Sequence, residues 1–408
     1  MITIQGKYNN AVAFTDEVEP SALEQITLLL DQPFISGSKV RIMPDVHAGK
    51  GCTIGTTMTL HGRVVPDLVG VDIGCGMLFI PLGEADIHLP GLDGFIREHI
   101  PSGFNVHKSA KASMTEEINS LRCLRELKGD AAIFNRALGT LGGGNHFIEV
   151  AVGRQGCKWL IIHSGSRNLG KQVADHYQKR AVSWHSGMDE TYEEQKARLI
   201  AEYKAAGRRK EIQGALAEYI RSRRKDPGMP EDLCYLEGSL FEDYIHDMRV
   251  MQAYAAKNRR TMAEIILHGC LHLQDFEAHE TVHNYIDLES MVLRKGAVSA
   301  KAGETLLIPM NMRDGSLLCR GKGNAEWNCS APHGAGRIYS RAKARETLSM
   351  EAFQSSMDGI YTTSVCRDTL DESPMAYKPM EAILAHIRDT VEVVDVLKPV
   401  YNFKAAGD

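Results

Sequence analysis

The chain has 408 residues, 43% hydrophobic and 24% charged, with a formal net charge of −5. This is the profile of a globular protein able to bury a substantial core, and no apolar run is long enough to cross a bilayer. Nine irregularly spaced cysteines without a CxxC pair exclude a disulfide framework, and the acidic balance leaves polyanion binding only to local basic clusters.

The first 14 residues, MITIQGKYNNAVAF, have neither the basic region nor the apolar core of a signal peptide, so a cytoplasmic location is expected. To about residue 80, KVRIMPDV, GCTIGTTMTL, VVPDLVGVDIG and MLFIPL read as short strands between Gly, Pro and Asp turns. A helix is expected over roughly Thr115 to Leu127. ALGTLGGGNHFIEVAV and CKWLIIHSGSRNLG each join a Gly-rich or Gly/Ser/Arg turn to an apolar strand. Residues 171–268 turn mainly helical, broken at Asp226-Pro227-Gly228, with a further helical stretch over Phe241 to Ala263. Basic clusters there, Arg208-Arg209-Lys210 and Arg221 to Lys225, fit a solvated helix face, with an RNA-tracking surface as the alternative. Strands return from about His283 to Ala335, and a last helix is expected over Met380 to Leu397. With no internal repeat or linker, the reading is one interwoven α+β domain over 1–408, with helices inserted or packed outside.

The chemistry-bearing residues lie on both sides of the helical segment. In Val71-Asp72-Ile73-Gly74-Cys75-Gly76, an Asp and a Cys three apart between glycines can turn carboxylate and thiolate toward one divalent ion. In isolation such a pair is ordinarily a turn with a buried cysteine. His146, after a glycine run, His163, at a strand end, and His283, at a strand start, change that balance, because imidazole is the commonest metal ligand. Asp45 and His47 occupy another Gly loop, where Asp45 is placed to orient a ligand. Lys50 there is suited either to a phosphate or to solvent. His333-Gly334-Ala335-Gly336-Arg337, with Arg341 four residues on, pairs an uncrowded imidazole with cations, as a nucleophile attacking a nucleotide phosphate requires.

DVHAGKG at 45–51, VGVDIGCGM at 69–77, GGGNHFIE at 142–149, HSGSR at 163–167, RKGAVSAKAG at 294–303 and HGAGR at 333–337 resemble the RtcB family of RNA ligases. The motifs follow the family's order over almost the whole chain, ending near PMAYK at 374–378, and mark a divergent bacterial-type member. The resemblance implies joining of RNA 2′,3′-cyclic phosphate or 3′-phosphate ends to 5′-hydroxyl ends, using GTP and two manganese ions, in RNA repair or tRNA splicing. It further implies that Asp72, Cys75 and His146 hold one ion. Cys75, His163 and His283 would hold the other, with Cys75 bridging. His333 would accept GMP through Nε2, with Asp45 beside the site. Asn145, Glu149, Asn284, Pro309, Met312, Ser316, Gly334, Ala335, Gly336 and Lys404 would lie near the nucleotide. Arg167, Arg337 or Arg341 would offset phosphate charge.

Three departures accompany the match. Pro309-Met310-Asn311-Met312-Arg313-Asp314-Gly315 replaces the family's Pro-Gly-Ser-Met-Gly loop. Asn168 follows HSGSR in place of Gly, and Val282 precedes His283 in place of His. A monomer without membrane contact is the expected state. The alternatives are a metal-dependent cyclic phosphodiesterase or 3′-end guanylyltransferase that does not join, and a non-enzymatic RNA-binding module with a structural metal.

Overall fold

Two antiparallel-rich sheets carry the architecture, which a computed structural model describes for all residues except 189, 224 and 406–408 and the side chains of 190–193. The seven-stranded sheet runs in the order His279–Val282, Gly76–Gly83, Lys158–Ser164, Phe147–Val152, Val391–Lys404, Gly315–Gly321, Thr305–Asn311. Its two edge strands approach each other, and Leu307 N donates to Thr281 Oγ1 at 3.2 Å, so the sheet curls until it is nearly closed. Strand alternation explains the curl. Met77 and Phe79 pack inward with Phe147, Ile161, Leu307 and Leu397, whereas Leu78 and Ile80 pack on the opposite face with Ile148 and Ile162. That outer face is covered by the long helix Gly238–Ile266 through Met262, Ala263 and Ile266.

The six-stranded sheet orders as Ile2–Gln5, Asn10–Ala13, Val40–His47, Ile54–Thr59, Val292–Lys295, Asn284–Asp287. It shares its core with the helices Pro20–Leu30, Arg167–His185 and the N-terminal half of Gly238–Ile266. The mixed α+β class is as the sequence implies. Among the described residues no helix is long and apolar enough to cross a membrane.

Three expected elements differ. VVPDLVGVDIG contains a short helix, Pro66–Val69, because Pro66 at its first turn supplies a helical φ and lacks the N–H a strand ladder needs. The helix expected over 115–127 stops at Asn119 and gives way to a 3₁₀ turn at Leu124–Glu126. There the buried Asp247 carboxylate accepts the Arg122 and Cys123 amides at 2.8 and 3.1 Å, holding them out of a helical ladder. The C-terminal helix ends at Leu384, and Val391–Lys404 is a strand inside the seven-stranded sheet. Its Val-rich run favours the pleated surface once both neighbours, Phe147–Val152 and Gly315–Gly321, can pair with it.

In the helical segment, Arg208 is exposed, pairs with Glu211 and lies over the Tyr203 ring, as a solvated face does. Arg224 of the second basic cluster lies outside the described residues.

Candidate active site

The register of the large sheet gathers the proposed ligands. Gly76 pairs with Ser164 and with Val282, and Phe147 pairs with His163. Cys75, His283, His163 and His146 therefore stand at one end of four adjacent strands, although 208 residue positions separate the first from the last (283 − 75). Cys75 Sγ lies 3.4 Å from His146 Nε2 and 3.3 Å from His163 Nε2. Ligand atoms of Cys75, His163 and His283 lie within 4.8 Å of one another, as do those of Asp72, Cys75 and His146. Asp72 Oδ2 is 3.2 Å from His146 Nε2. The Gly165 backbone packs directly against the Asp72 carboxylate, where any Cβ would collide with it.

The tautomers suit metal binding. His146 Nδ1 donates to Leu141 O at 2.9 Å and His163 Nδ1 to Asn145 O at 3.2 Å, which frees both Nε2 lone pairs toward Cys75. Burial lowers the pKa of His163 and His283 far below the ordinary value, so both are neutral ligands. Burial would raise the Asp72 carboxyl, but the adjoining His146, the Arg167 charge and the Ser166 amide outweigh it and hold the pKa at about 2. Burial and the Asp72 charge push the Cys75 thiol well up. A buried thiol, a carboxylate and three imidazoles, two of them with Nε2 lone pairs turned to the thiol, fit a pair of divalent cations, which would reverse that thiol shift on binding.

His333 extends the row of rings. Its centroid is 5.0 Å from that of His283, which is 5.2 Å from that of His163. Asp45, fully buried in the other sheet, accepts from His333 Nδ1 at 2.6 Å, from His333 N at 3.1 Å and from Gly334 N at 3.3 Å. Asp45 thus orients His333 rather than a metal ligand. Gly336, at φ 75°, brings the HGAG turn against the Asp45 backbone so closely that any Cβ would strike its carbonyl.

A cavity of about 490 Å³ opens on His333, His163 and His283, within the size range of small-molecule sites. Its wall includes Asn145, Glu149, Pro309, Met312, Ser316, Gly334, Ala335, Gly336 and Lys404. Asn284 is outside that lining. Its side chain donates to Asp72 O at 3.3 Å and accepts from Gly296 N at 3.1 Å, behind the metal-side loop. The departing loop still contributes Met310 and Asn311 to the wall. Lys50 is exposed and reaches Asp67 at 3.5 Å.

The family model described as tRNA-splicing ligase RtcB matches residues 25–133 and 126–405. The chain belongs to the RtcB family. It is 33% identical to RNA-splicing ligase RtcB1 of Escherichia coli strain ATCC 25922, over 95% of both chains. It is 32% identical to RNA-splicing ligase RtcB of strain K12, again over 95% of both. With tRNA-splicing ligase RtcB of Aeropyrum pernix the identity is 25%, covering 88% of this chain and 86% of the relative.

Several functional neighbours in this RtcB-family chain escape a reading of the sequence. Asn402 donates to Glu149 Oε2 at 2.9 Å from a strand that helical periodicity conceals. Glu372 is buried and anchors Lys404, Tyr377 and Arg341 at 2.6 Å each, and Arg337 at 3.3 Å. Burial would raise its carboxyl, yet the Lys404, Arg341 and Arg337 cations hold it at about 2. Asn258 and Arg259, on the long helix, brace the metal-side loops through Thr140, Ser164 and Gly165, and through Gly74 and Ser164. Arg167, which the sequence does single out, donates to Thr140 Oγ1 at 3.1 Å and Gly103 O at 2.8 Å.

Glu149 gives a pH prediction. Burial raises its pKa to about 8, against the pull of Asn402 and Lys404. The folded chain holds this proton more tightly than the unfolded one, so its stabilising effect, complete below the ordinary carboxyl range, is lost as pH rises through about 8. Glu149→Gln escapes that loss. Its melting temperature relative to wild type should climb between pH 5 and pH 9 in thermal unfolding. A flat difference contradicts the assignment.

Proposed function

We propose that this chain is an RNA ligase acting as one catalytic domain over 1–408. It joins 2′,3′-cyclic phosphate or 3′-phosphate RNA ends to 5′-hydroxyl ends, with GTP and two manganese ions. The observation that carries the reading is His333. Its Nδ1 is held by Asp45 at 2.6 Å, so its Nε2 lone pair is free beside the metal-side histidines on the wall of a nucleotide-sized cavity.

The cavity's buried end supports the choice of nucleotide. Glu149 Oε1, Asn402 Oδ1 and Ser316 Oγ are buried without a hydrogen-bond partner among the described residues. Asn402 Oδ1 and Ser316 Oγ can accept the N–H groups of a guanine edge, and Glu149 accepts with them once it gives up its proton to solvent on nucleotide binding. Lys404, a three-donor ammonium with one bond to Glu372 and one to Asn145 O, keeps a donor for guanine O6. Adenine presents an amino group where guanine presents O6, so Lys404 would be left facing a donor.

In this reading His333 Nε2 attacks the α-phosphorus of GTP, and the bond to pyrophosphate breaks. An oxygen of the RNA 3′-phosphate then displaces His333 and takes GMP. The RNA 5′-hydroxyl attacks the activated phosphate, forms the 3′,5′-phosphodiester and releases GMP. A cyclic end is first hydrolysed to the 3′-phosphate. Asp45 steadies the positive charge that grows on the imidazole. Asp72, Cys75 and His146, and Cys75, His163 and His283, would hold the manganese ions, whose Lewis acidity polarises phosphate oxygens when bound.

The test is an incubation of the protein with GTP, manganese and two RNA pieces, one ending in a 3′-phosphate and one beginning with a 5′-hydroxyl. Joined RNA with release of GMP and pyrophosphate is expected. RNA capped with GMP, or only ring-opened, with no joined product would replace ligation with the guanylyltransferase or phosphodiesterase reading.

A further inference from the structure

Asp72 keeps 28% of its side chain exposed, so the metal-side group is open to solvent beside the Ser166 amide that binds it at 2.9 Å. The segment Pro101–His107 is fixed along that opening. Leu141 N donates to Pro101 O at 2.9 Å and Gly103 N to Gly142 O at 3.0 Å. His107 N donates to Arg136 O at 3.0 Å, and its Nε2 to Gly139 O at 3.0 Å. Arg167, one residue from the Ser166 amide that binds Asp72, donates to Gly103 O at 2.8 Å. At the tip of this pinned segment stands Phe104, 83% exposed, with exposed Val106 next to it. Lys108 and Lys111 follow, both exposed and neither ion-paired among the described residues, and no acidic residue occurs between 101 and 114.

A large aromatic ring held outward by a rigid base loses no packing and little conformational freedom when it accepts a flat partner. Flanking lysines attract phosphates, and a base stacked on an aromatic ring beside cations is the usual way a protein grips single-stranded RNA. We infer that Phe104 is a stacking platform for a nucleobase at the RNA break, with Lys108 and Lys111 neutralising the adjoining phosphates. The inference rests on the ligase reading above. Arg167 ties the base of this segment to the turn that binds Asp72, so a base stacked on Phe104 would fix the approach of a flexible RNA end to the metal-side group. Phe104 is a positioning residue that does not touch GTP.

Phe104→Ala and Phe104→Tyr are compared with wild type in ligation of the RNA pair, with α-labelled GTP transfer to protein measured in parallel. For Phe104→Ala the RNA concentration at half-maximal rate should rise about tenfold while label transfer stays unchanged, and Phe104→Tyr should restore wild-type behaviour. An abasic nucleotide at the 3′-phosphate end or at the 5′-hydroxyl end should then erase the difference between wild type and Phe104→Ala. Half-saturation within twofold of wild type, no rescue by Tyr, or persistence of the difference with both abasic RNAs overturns the inference. A parallel fall in label transfer assigns Phe104 a structural role and also overturns it. Absence of label on the wild-type protein contradicts the ligase reading instead.

Discussion

Cys75→Ala will lose both metal positions together and guanylylation with them, whereas His283→Ala will lose chiefly one. The asymmetry follows from the geometry. Cys75 is the one ligand common to the two groups, at 3.4 Å from His146 Nε2 on one side and 3.3 Å from His163 Nε2 on the other. Burial and the Asp72 carboxylate keep the thiol protonated in the metal-free chain, against the pull of the buried Arg259. Metal binding therefore expels a proton, and affinity should strengthen as pH rises. Loss of a partner that merely orients a ligand lowers metal affinity about 10–100-fold, and loss of the bridging ligand should exceed that at both positions. Manganese content after dialysis measures it. Two ions per wild-type chain, one in His283→Ala and none in Cys75→Ala are expected, and two tightly held ions in Cys75→Ala disprove the bridge.

Asp45→Asn is expected to leave the fold and the bound metals in place while reducing guanylylation about 10³- to 10⁴-fold. The expectation has a counterpart in the serine-protease triad, where the same exchange at the histidine's orienting Asp costs about 10⁴. A carboxylate can only accept, so it fixes the proton on His333 Nδ1 and leaves Nε2 as the nucleophile. An Asn amide can donate to Nδ1 and shift the proton to Nε2, where it blocks attack. The same oxygen, Oδ2, also accepts the His333 and Gly334 amides, so an Asn whose amide turns to Nδ1 gives up those two contacts, which lowers the melting temperature without unfolding the chain. Transfer rates of labelled GMP, read beside metal content and melting temperature, separate the tautomer from misfolding. A rate within tenfold of wild type contradicts the role.

How much of this is legible in the sequence depends on where a residue sits relative to its strand. Cys75 and His146 directly precede strands and His163 lies near the end of one, each beside a Gly-containing motif, whereas His283 sits between two strands with no glycine near it in the sequence. Those signals are local. The residues that hold them in place are not. Asp45 is recognisable as a site residue, but its partner His333 is 288 positions away, and only the folded chain, which packs the short strand Ser330–Pro332 against Val40–His47, shows which group it orients. Asn258 and Arg259 occupy apolar-patterned helix that gives no hint of buried polar work. Asn402 and Lys404 lie on a strand whose Val, Glu and Asp spacing also suits a helix, until its pairing with Phe147–Val152 decides the matter. Phe104 carries no motif at all, since exposure is a property of the folded chain.

The central claim is that His333 carries the nucleotide, and α-phosphate-labelled GTP tests it most directly. With manganese present, wild-type protein should take up label that is lost in acid, as a phosphorus–nitrogen bond is, and His333→Ala should take up none. Equal labelling of His333→Ala, or no label on wild type with both metal positions filled, would contradict the mechanism.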